Sequence, residues 1–415
     1  MLLSCMGRIP TIGFSLALCM SVMSTALAPW PIPSGVAMAQ SSEQQRTPRT
    51  IRVGKEYPVK TISAAANLAK DGDTIEIAAG DYLGDTAIWT QTKLKIRGIE
   101  GRPRLIAAGQ AAEGKGIWVI RGGDIVIENI EFIGARVPHR NGAGIRLERG
   151  KLAVRRCVFT DNENGMLVGN DPSTILEIED SEFGHNGAGD GQSHNLYVGT
   201  IQSFIVQGSY FHHARVGHLL KTRARENFIY YNRLTDEPGG RASYELEFPV
   251  GGLAFVVGNL IEQGENTENP TIISFGAEGY RWSRNDLYLS HNTIVNDRVE
   301  GGVFIVARPG SAYVKILNNV LVGKGDLDLK TRADIGQSWK LDRSEFVLPE
   351  GFDFRLKPDS QAAGAADDPG EAMGIPLRPT REYSYRVGTE HLPLTSSLNP
   401  GAFQTRTRES DPAIP

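Results

Sequence analysis

Side chains that could do chemistry are concentrated in residues 190–252, which are rich in His, Tyr, Lys, Arg and Glu. Three stretches in this range alternate around a leucine: residues 193–198, 217–222 and 243–248. If these stretches are neighbouring strands of a repeat, every second side chain faces outward and equivalent residues lie about 4.8 Å apart. One register then places Tyr197, Lys221 and Glu247 in a single column on the surface.

Such a column would suit proton abstraction next to a carboxylate. Removing the proton on the carbon beside a uronic acid carboxylate requires a base and a cation that stabilises the enolate-like intermediate. Neighbouring arginine charges disfavour the protonated form of Lys221, which would let this residue act as the base. Arg223 or Arg225 would bind the carboxylate in a bidentate fork, and Tyr197 would give a proton to the leaving oxygen.

The remaining side chains of the three stretches are assigned by alternation. With the central leucines inward, the predicted outward side chains are Asn195, Tyr197, Lys221, Arg223, Glu245 and Glu247. His194 and His218 begin their strands, where strict alternation points them inward unless a turn reverses the direction. The predicted catalytic residues are Lys221, Tyr197, Arg223, His194 and His218. The predicted substrate-binding residues are Asn195, Arg225, Tyr244, Glu245, Glu247 and Trp282.

A plainer interpretation of the same cluster involves no chemistry. Lys221, Arg223 and Arg225 could form a solvated strand end whose charges are neutralised by Glu226, Glu245 and Glu247. Trp282 lies in a long step between repeats, where it could stack on a sugar ring or simply pack its loop onto the core.

No metal or cofactor is expected from the sequence. His212 and His213, together with His194 and His218, offer imidazole ligands, but they lack the tight spacing of His and Glu that is typical of zinc sites. Calcium is left open, although its candidate ligands are scattered and form no acidic loop. These candidates are Asp161, Asp171, Asp180 and Asp190.

A faint repeat must position the candidate site. Apolar alternating runs recur at steps of 23 to 33 residues and end at the large residues Phe132, Phe159, Phe183, Phe211, Leu234, Ile261, Ile294 and Leu321. Asparagines stand two residues before the last four of these anchors, where they could hydrogen-bond from coil to coil. A period of this size carried by short β-type runs predicts an all-β, single-stranded, right-handed parallel β-helix.

Both ends of the chain are predicted to lie outside the repeat. Arg8, an apolar stretch over residues 12–23 and small-residue sites ending at Ala28 and Ala39 are typical of a cleaved signal peptide. The predicted boundaries are a signal peptide over 1–39, a flexible leader over 40–50, the β-helix over 51–323, a C-terminal flank and cap over 324–405, and a disordered tail over 406–415.

Composition narrows the function classes. A net charge of −4 from 44 basic and 48 acidic residues argues against a nucleic-acid partner. After the signal segment, nothing approaches the roughly 20 apolar residues of a membrane span. Cys157 is then the one remaining cysteine, so no intramolecular disulfide forms and a buried thiol is expected. We predict a monomer that is secreted or periplasmic.

Two segments resemble known β-helix proteins. Residues 51–82, IRVGKEYPVKTISAAANLAKDGDTIEIAAGDY, resemble the first segment of pectin-lyase-like β-helix proteins. Within them, residues 59–68 have the spacing of a short helix that could cover the first coil. The strings SHNLYVG and GHLLKTR resemble a group of bacterial right-handed parallel β-helix repeat proteins.

Residues 217–234, GHLLKTRARENFIYYNRL, resemble the catalytic coil of the alginate lyase and chondroitinase B family. This resemblance implies that Lys221 is the base. The family places an arginine one coil later, where this chain has Glu247, and a calcium-binding glutamate pair before the lysine, where this chain has Ala214, Val216 and His218.

These patterns together predict a secreted carbohydrate-active protein that cleaves an acidic, uronate-containing polysaccharide by β-elimination. A C5-epimerase shares the first proton abstraction and stays open as an alternative. A non-catalytic β-helix that binds a glycan or a partner protein also stays open. Unpaired side chains that converge around Lys221 would favour an enzyme, whereas full pairing with Glu245 and Glu247 would favour binding alone.

Overall fold

The computed structural model describes residues 47–393 and 397–404. The predicted signal peptide, most of the predicted leader and the predicted tail lie outside the described residues. The described residues form an all-β parallel solenoid of about ten turns with three stacked sheets. This confirms the predicted right-handed parallel β-helix. No helix within the two described ranges is long and apolar enough to cross a membrane.

Most coils contribute one short strand to each of the three parallel sheets, which have 12, 11 and 10 strands. The first sheet contains Thr50–Val53, Thr74–Ala78, Lys93–Ile99, Asp124–Glu128, Lys151–Arg155, Ile175–Glu179, Ser203–Gln207, Glu226–Tyr230, Leu253–Val257, Asp286–Ser290, Tyr313–Leu317 and Ala333–Ile335. The second sheet contains Asp81–Leu83, Arg104–Ile106, Glu131–Ile133, Val158–Thr160, Glu182–Gly184, Tyr210–His212, Arg233–Thr235, Leu260–Gln263, Thr293–Asn296, Val320–Gly323 and Trp339–Leu341. The third sheet contains Ala87–Trp89, Gly116–Ile120, Ala143–Leu147, Asn164–Val168, Leu196–Val198, Arg215–Thr222, Arg241–Phe248, Thr271–Phe275, Val303–Ala307 and Asp326–Leu329.

The large apolar anchors of the repeat lie one above another in the second sheet. Each anchor pairs with the next along the series Phe132, Phe159, Phe183, Phe211, Leu234, Ile261, Ile294 and Leu321. The four phenylalanine rings stack almost parallel, with centroids 4.6 to 5.0 Å apart. Each coil therefore packs a large apolar side chain against the equivalent residue of the next coil, which fixes the register of the solenoid.

The predicted asparagine ladder is also present. The side-chain amides of Asn232, Asn259 and Asn292 each donate to the Oδ1 atom of the next asparagine at 2.9 to 3.0 Å, and the series ends at Asn319. The backbone N–H of each donor residue reaches the same oxygen at 2.9 to 3.0 Å. The ladder thus satisfies buried backbone groups at the corner of each coil.

A short helix lies where the spacing of residues 59–68 predicts one. It spans Ile62–Leu68, and the Thr61 hydroxyl caps its first turn by accepting the Ala64 N–H at 3.2 Å. Its buried side chains belong to the main core of the solenoid. The role of this helix as a cap stays a prediction.

The coils extend beyond residue 323. One further strand joins each sheet, in the order Asp326–Leu329, Ala333–Ile335 and Trp339–Leu341. These strands are half-buried or exposed, since no coil follows them. Because their sequences are polar, these three strands could not be predicted from a repeat of buried apolar residues.

The C-terminal flank folds along the side of the solenoid. Its elements are two 3-10 helices, Arg343–Glu345 and Pro349–Gly351, and three antiparallel pairs, Phe346–Leu348 with Asp353–Leu356, Glu371–Ala372 with Ile375–Pro376, and Arg381–Tyr383 with Thr389–His391. Flank residues such as Phe354 and Tyr383 share a core with Val295 of the second sheet. Leu377 packs with Phe255 of the first sheet.

Polar contacts tie the flank to coils that are far apart. Arg386 Nε lies 2.7 Å from a Glu182 carboxylate oxygen, and the Thr380 N–H donates to the Tyr231 hydroxyl at 3.1 Å. Nearer the end of the solenoid, the Asp367 N–H donates to Asn318 Oδ1 at 3.1 Å. The flank therefore runs beside several successive coils.

Candidate active site

The predicted column is present on the third sheet, although Glu247 at its end is buried and not on the surface as predicted. Tyr197 pairs with Lys221, and Lys221 pairs with Glu247, so the predicted register is correct. We call these three residues the central column. The leucines that precede them in each strand are fully buried: Leu196, Leu220 and Leu246.

His194 and His218 lie on the same face as the central column, which reverses the direction that strict alternation predicts. His218 Nε2 is 2.7 Å from Glu247 Oε2, and the His194 ring lies parallel to the Tyr197 ring with centroids 5.8 Å apart. The His194 and His218 rings are 4.4 Å apart. The Tyr244 ring lies 4.9 Å from the His218 ring. We call His194, His218 and Tyr244 the second column.

The predicted outward direction of Asn195 and Glu245 is wrong, because both side chains are fully buried. Regular alternation breaks before the central leucines, near register shifts around Gly217, and two successive side chains then face the interior. Asn195 Oδ1 accepts a hydrogen bond from the Asn186 amide at 2.8 Å. Glu245 lies 3.4 Å from the Gln263 amide. Neither residue contacts the outer face.

Lys221 is held by carboxylates. Its Nζ atom lies 2.9 Å from Glu247 Oε2 and 3.6 Å from Glu278 Oε1. The sequence analysis expects arginine charges beside the Lys221 amine. In the structure, the carboxylates of Glu247 and Glu278 also lie next to this amine. Glu278 belongs to the loop before Asp286–Ser290, and its place beside the column is not visible in the sequence, because loop length alone does not fix where a loop folds.

Arg223 connects the column to the same loop. Its guanidinium donates to the Tyr197 hydroxyl at 2.5 Å and to Glu278 Oε1 at 2.5 Å. It also lies over the Tyr197 ring, 5.1 Å from the centroid. Because the phenol oxygen accepts from Arg223, the phenolic proton of Tyr197 is available to another acceptor. The Trp282 indole N–H donates to the Arg223 carbonyl at 3.2 Å, which packs the loop down.

Arg146 is a site residue that the sequence analysis missed. It occupies the same outward row as Tyr197, separated from it by Leu167. Among the residues that the structure describes, Arg146 forms no salt bridge, and its buried Nε atom has no hydrogen-bond acceptor. Burial lowers its pKa. The signal that could have found it is its position in the strand alignment, three coils before Lys221.

Comparison with known proteins identifies the fold. No family model and no curated protein matches the chain. Among solved structures, the chain is similar to pectate lyase Pel9A, with a TM-score of 0.56 and 13% identity over 86% of this chain and 97% of that chain. The fold is that of a pectin-lyase-like parallel β-helix. At this identity the likeness concerns the fold alone.

The remaining predicted site residue lies at the edge of this β-helix face. Arg225 is exposed and pairs with its neighbour Glu226 at 3.0 Å, just before the next strand of the first sheet. It does not join the contacts among Tyr197, Lys221 and Arg223. Arg225 is therefore the natural control for substitutions of the other two arginines.

Burial and neighbouring charges shift the pKa values of the two histidines in the second column and of Glu247 in the central column. Burial, with the charges of His218 and Lys221, lowers the pKa of His194 well below its ordinary value. Burial also lowers the pKa of His218, although Glu247 opposes this shift. Burial disfavours ionisation of Glu247, but the hydrogen bond and charge of His218 and the charge of Lys221 outweigh it and lower the Glu247 pKa.

These pKa shifts indicate which residue of the His218–Glu247 pair carries the proton. We assign an ionised Glu247 and a neutral His218 that donates its Nε2–H. His218 Nδ1 is then a buried acceptor with no hydrogen-bond donor in the described part of the chain. For Tyr197, burial raises the pKa although Arg223 opposes it, so the phenol keeps its proton. The face therefore holds a proton donor, an amine and two guanidinium groups.

Proposed function

We propose that this protein is a polysaccharide lyase that cleaves an acidic, uronate-containing chain by β-elimination. One arrangement carries the proposal: Tyr197 and Lys221 are adjacent on a half-buried face, Arg223 donates to the Tyr197 hydroxyl, and Arg146 lies in the same row two coils before Tyr197. A carboxylate that must stabilise a developing negative charge needs such cations, and the proton transfers need an acid and a base on the same face. The structural likeness to a pectate lyase supports this choice.

The residues would divide the reaction as follows. Arg146 and Arg223 bind the uronate carboxylate. To do so, Arg223 releases its ion pair with Glu278. Uncharged Lys221 takes the proton from the carbon beside the carboxylate. The carbon–oxygen bond at the next carbon breaks as a carbon–carbon double bond forms, and Tyr197 protonates the leaving oxygen. The ammonium of Lys221 then returns a proton to the tyrosinate through solvent, so the enzyme is restored.

A β-helix that binds an acidic glycan without cleaving it is the second candidate. The ion pairs of Lys221 with Glu247 and of Arg223 with Glu278 favour it, because both cations already have anionic partners. Arg146 would then be the main contact for the ligand. A C5-epimerase stays a third reading of the same proton abstraction. All three proposals place the protein outside the cytoplasm, in the periplasm or secreted, which rests on the predicted signal peptide.

The absorbance of unsaturated uronate in the ultraviolet separates these functions. Wild-type protein is mixed with alginate, pectate and glycosaminoglycans across a pH series. A lyase gives rising absorbance that disappears in Lys221→Ala and Tyr197→Phe. Arg146→Ala should weaken the reaction while Arg225→Ala leaves it unchanged.

The other outcomes are equally informative. A flat trace with measurable glycan binding that is lost in Arg146→Ala would assign the binding role. A flat trace with exchange of the C5 proton into solvent would assign an epimerase. A flat trace with neither binding nor exchange on any of these polymers would refute the proposed substrate class.

A further inference from the structure

Three histidines come together at the corner between the second and third sheets, away from the central column. His185 follows the strand Glu182–Gly184, and His212 and His213 stand at the equivalent place of the next coil. One ring nitrogen from each histidine lies within 4.8 Å of the others. His185 and His213 both take left-handed backbone conformations, with φ of 55° and 46°, which turn their side chains to the same corner.

A glycine makes room for the central ring of this cluster. Gly184 is the strand partner of His212. A Cβ atom at Gly184 would lie 2.2 Å from His212 Cε1 and 2.3 Å from His212 Nε2, which no side chain could tolerate. The His212 ring therefore lies directly over the backbone of the preceding coil, and any larger residue at position 184 would displace it.

A carboxylate fixes the tautomer of His212. Glu182 Oε1 lies 3.2 Å from His212 Nε2, while Arg386 holds the other carboxylate oxygen at 2.7 Å. A carboxylate paired with a guanidinium is an acceptor, so His212 Nε2 carries the hydrogen. His212 Nδ1 then carries a lone pair, which accepts a hydrogen bond from His213 Nδ1 at 2.7 Å. Carboxylate-to-histidine contacts of this kind orient the imidazole ligands of metal ions.

We propose that His185, His212 and His213 bind a divalent transition-metal ion of the kind that prefers imidazole ligands, such as Zn²⁺, with Glu182 as a positioning residue. Nitrogen ligands of a tetrahedral zinc site with bonds of about 2.0–2.1 Å lie roughly 3.3 Å apart. This spacing falls between the 2.7 Å contact and the 4.8 Å limit of the cluster. The separations between the nitrogens therefore have to change by at most about 1.5 Å for all three to reach one ion.

The corner also gives such an ion access from solvent. His185 is exposed, and a cavity of about 390 Å³ lies beside His185 and His213. Three protein nitrogens leave a coordination position for water or another ligand. The ion would join two successive coils at this corner, and the site is independent of the proposed lyase activity.

Isothermal titration of the full chain with ZnCl₂ at neutral pH tests the proposal, with visible absorption of Co²⁺ as a second probe. We expect one bound ion per chain, lost in His185→Ala and in His213→Ala. The exposed His139, which is outside the cluster, provides the matched control, and His139→Ala should bind as the wild type does. Glu182→Gln should weaken binding by about 10- to 100-fold, as removal of an orienting partner does.

His185→Ala separates loss of binding from loss of folding, because His185 is exposed. Circular dichroism of each variant verifies this. Absence of Zn²⁺ and Co²⁺ binding to the wild type would overturn the proposal. Equal binding by the wild type and both cluster variants would overturn it as well, since the ion would then lie elsewhere.

Discussion

Asp236 makes the stability of this β-helix depend on pH. Its side chain is fully buried, and Oδ1 has no hydrogen-bond partner in the described ranges. Burial, only partly offset by hydrogen bonds from Ala242 and Thr267, raises its pKa to about 7. An unfolded aspartate has a pKa of about 3.9. Between these values the folded chain holds a proton that the unfolded chain releases, so stability falls as pH rises from about 4 to about 7.

The change Asp236→Asn removes this dependence. A difference of about 3 pKa units at 1.36 kcal/mol each corresponds to about 4 kcal/mol. The amide oxygen can still accept the Ala242 N–H, which Asp236 Oδ2 accepts at 2.9 Å. We therefore expect the variant to gain about 4 kcal/mol in free energy of unfolding relative to the wild type between pH 4 and pH 8. Urea unfolding followed by circular dichroism across this range measures the gain.

An exposed carboxylate nearby supplies the control. Glu265 lies on the same side of the solenoid and is exposed, so Glu265→Gln should change the free energy of unfolding equally at all pH values in this range. If the difference between Asp236→Asn and the wild type stays constant within about 1 kcal/mol from pH 4 to pH 8, Asp236 is ionised in the folded protein and the reasoning fails.

Three further predictions follow from buried contacts and ion pairs. Asn259→Ala should lower the free energy of unfolding by about 3 kcal/mol or more in urea unfolding, because it orphans two N–H donors of Asn232 and a carbonyl; a loss below 1 kcal/mol would contradict the ladder. Glu278→Gln should tighten binding of an anionic oligosaccharide in calorimetry, since it releases Arg223; unchanged affinity would place the ligand elsewhere. Cys157, whose pKa burial raises to about 12, should resist thiol reagents at pH 8 until the chain unfolds, and rapid native labelling would refute its burial.

Much of the fold could be predicted because its repeat is written in large, regularly spaced residues. Anchors such as Phe159 and Phe183 must be buried in every coil, so their spacing alone fixes the pairing of the second sheet. The same logic correctly placed Tyr197 opposite Lys221. Polar strands at the end of the solenoid carry no such signal, and the sheets therefore run past the predicted boundary.

The site was predictable only as far as regular alternation holds. Alternation fails before the central leucines, so His194 lies outward and Glu245 inward, contrary to the simple pattern. Two contributors are invisible to local patterns for different reasons. Arg146 reaches the site through the stacking of coils, and Glu278 reaches it through the path of a loop.

The flank that runs beside the coils has a consequence for how the molecule comes apart. In an unbraced solenoid each coil touches only its neighbours, so the ends can fray one coil at a time. Here the C-terminal flank is hydrogen-bonded to three separate coils, through Arg386 to Glu182, Thr380 to Tyr231 and Asp367 to Asn318. A brace with such widely spaced attachments makes loosening of one coil costly for the others. The half of the molecule that carries the central column should therefore melt as a single cooperative unit, while coils before Glu182 are free to open first.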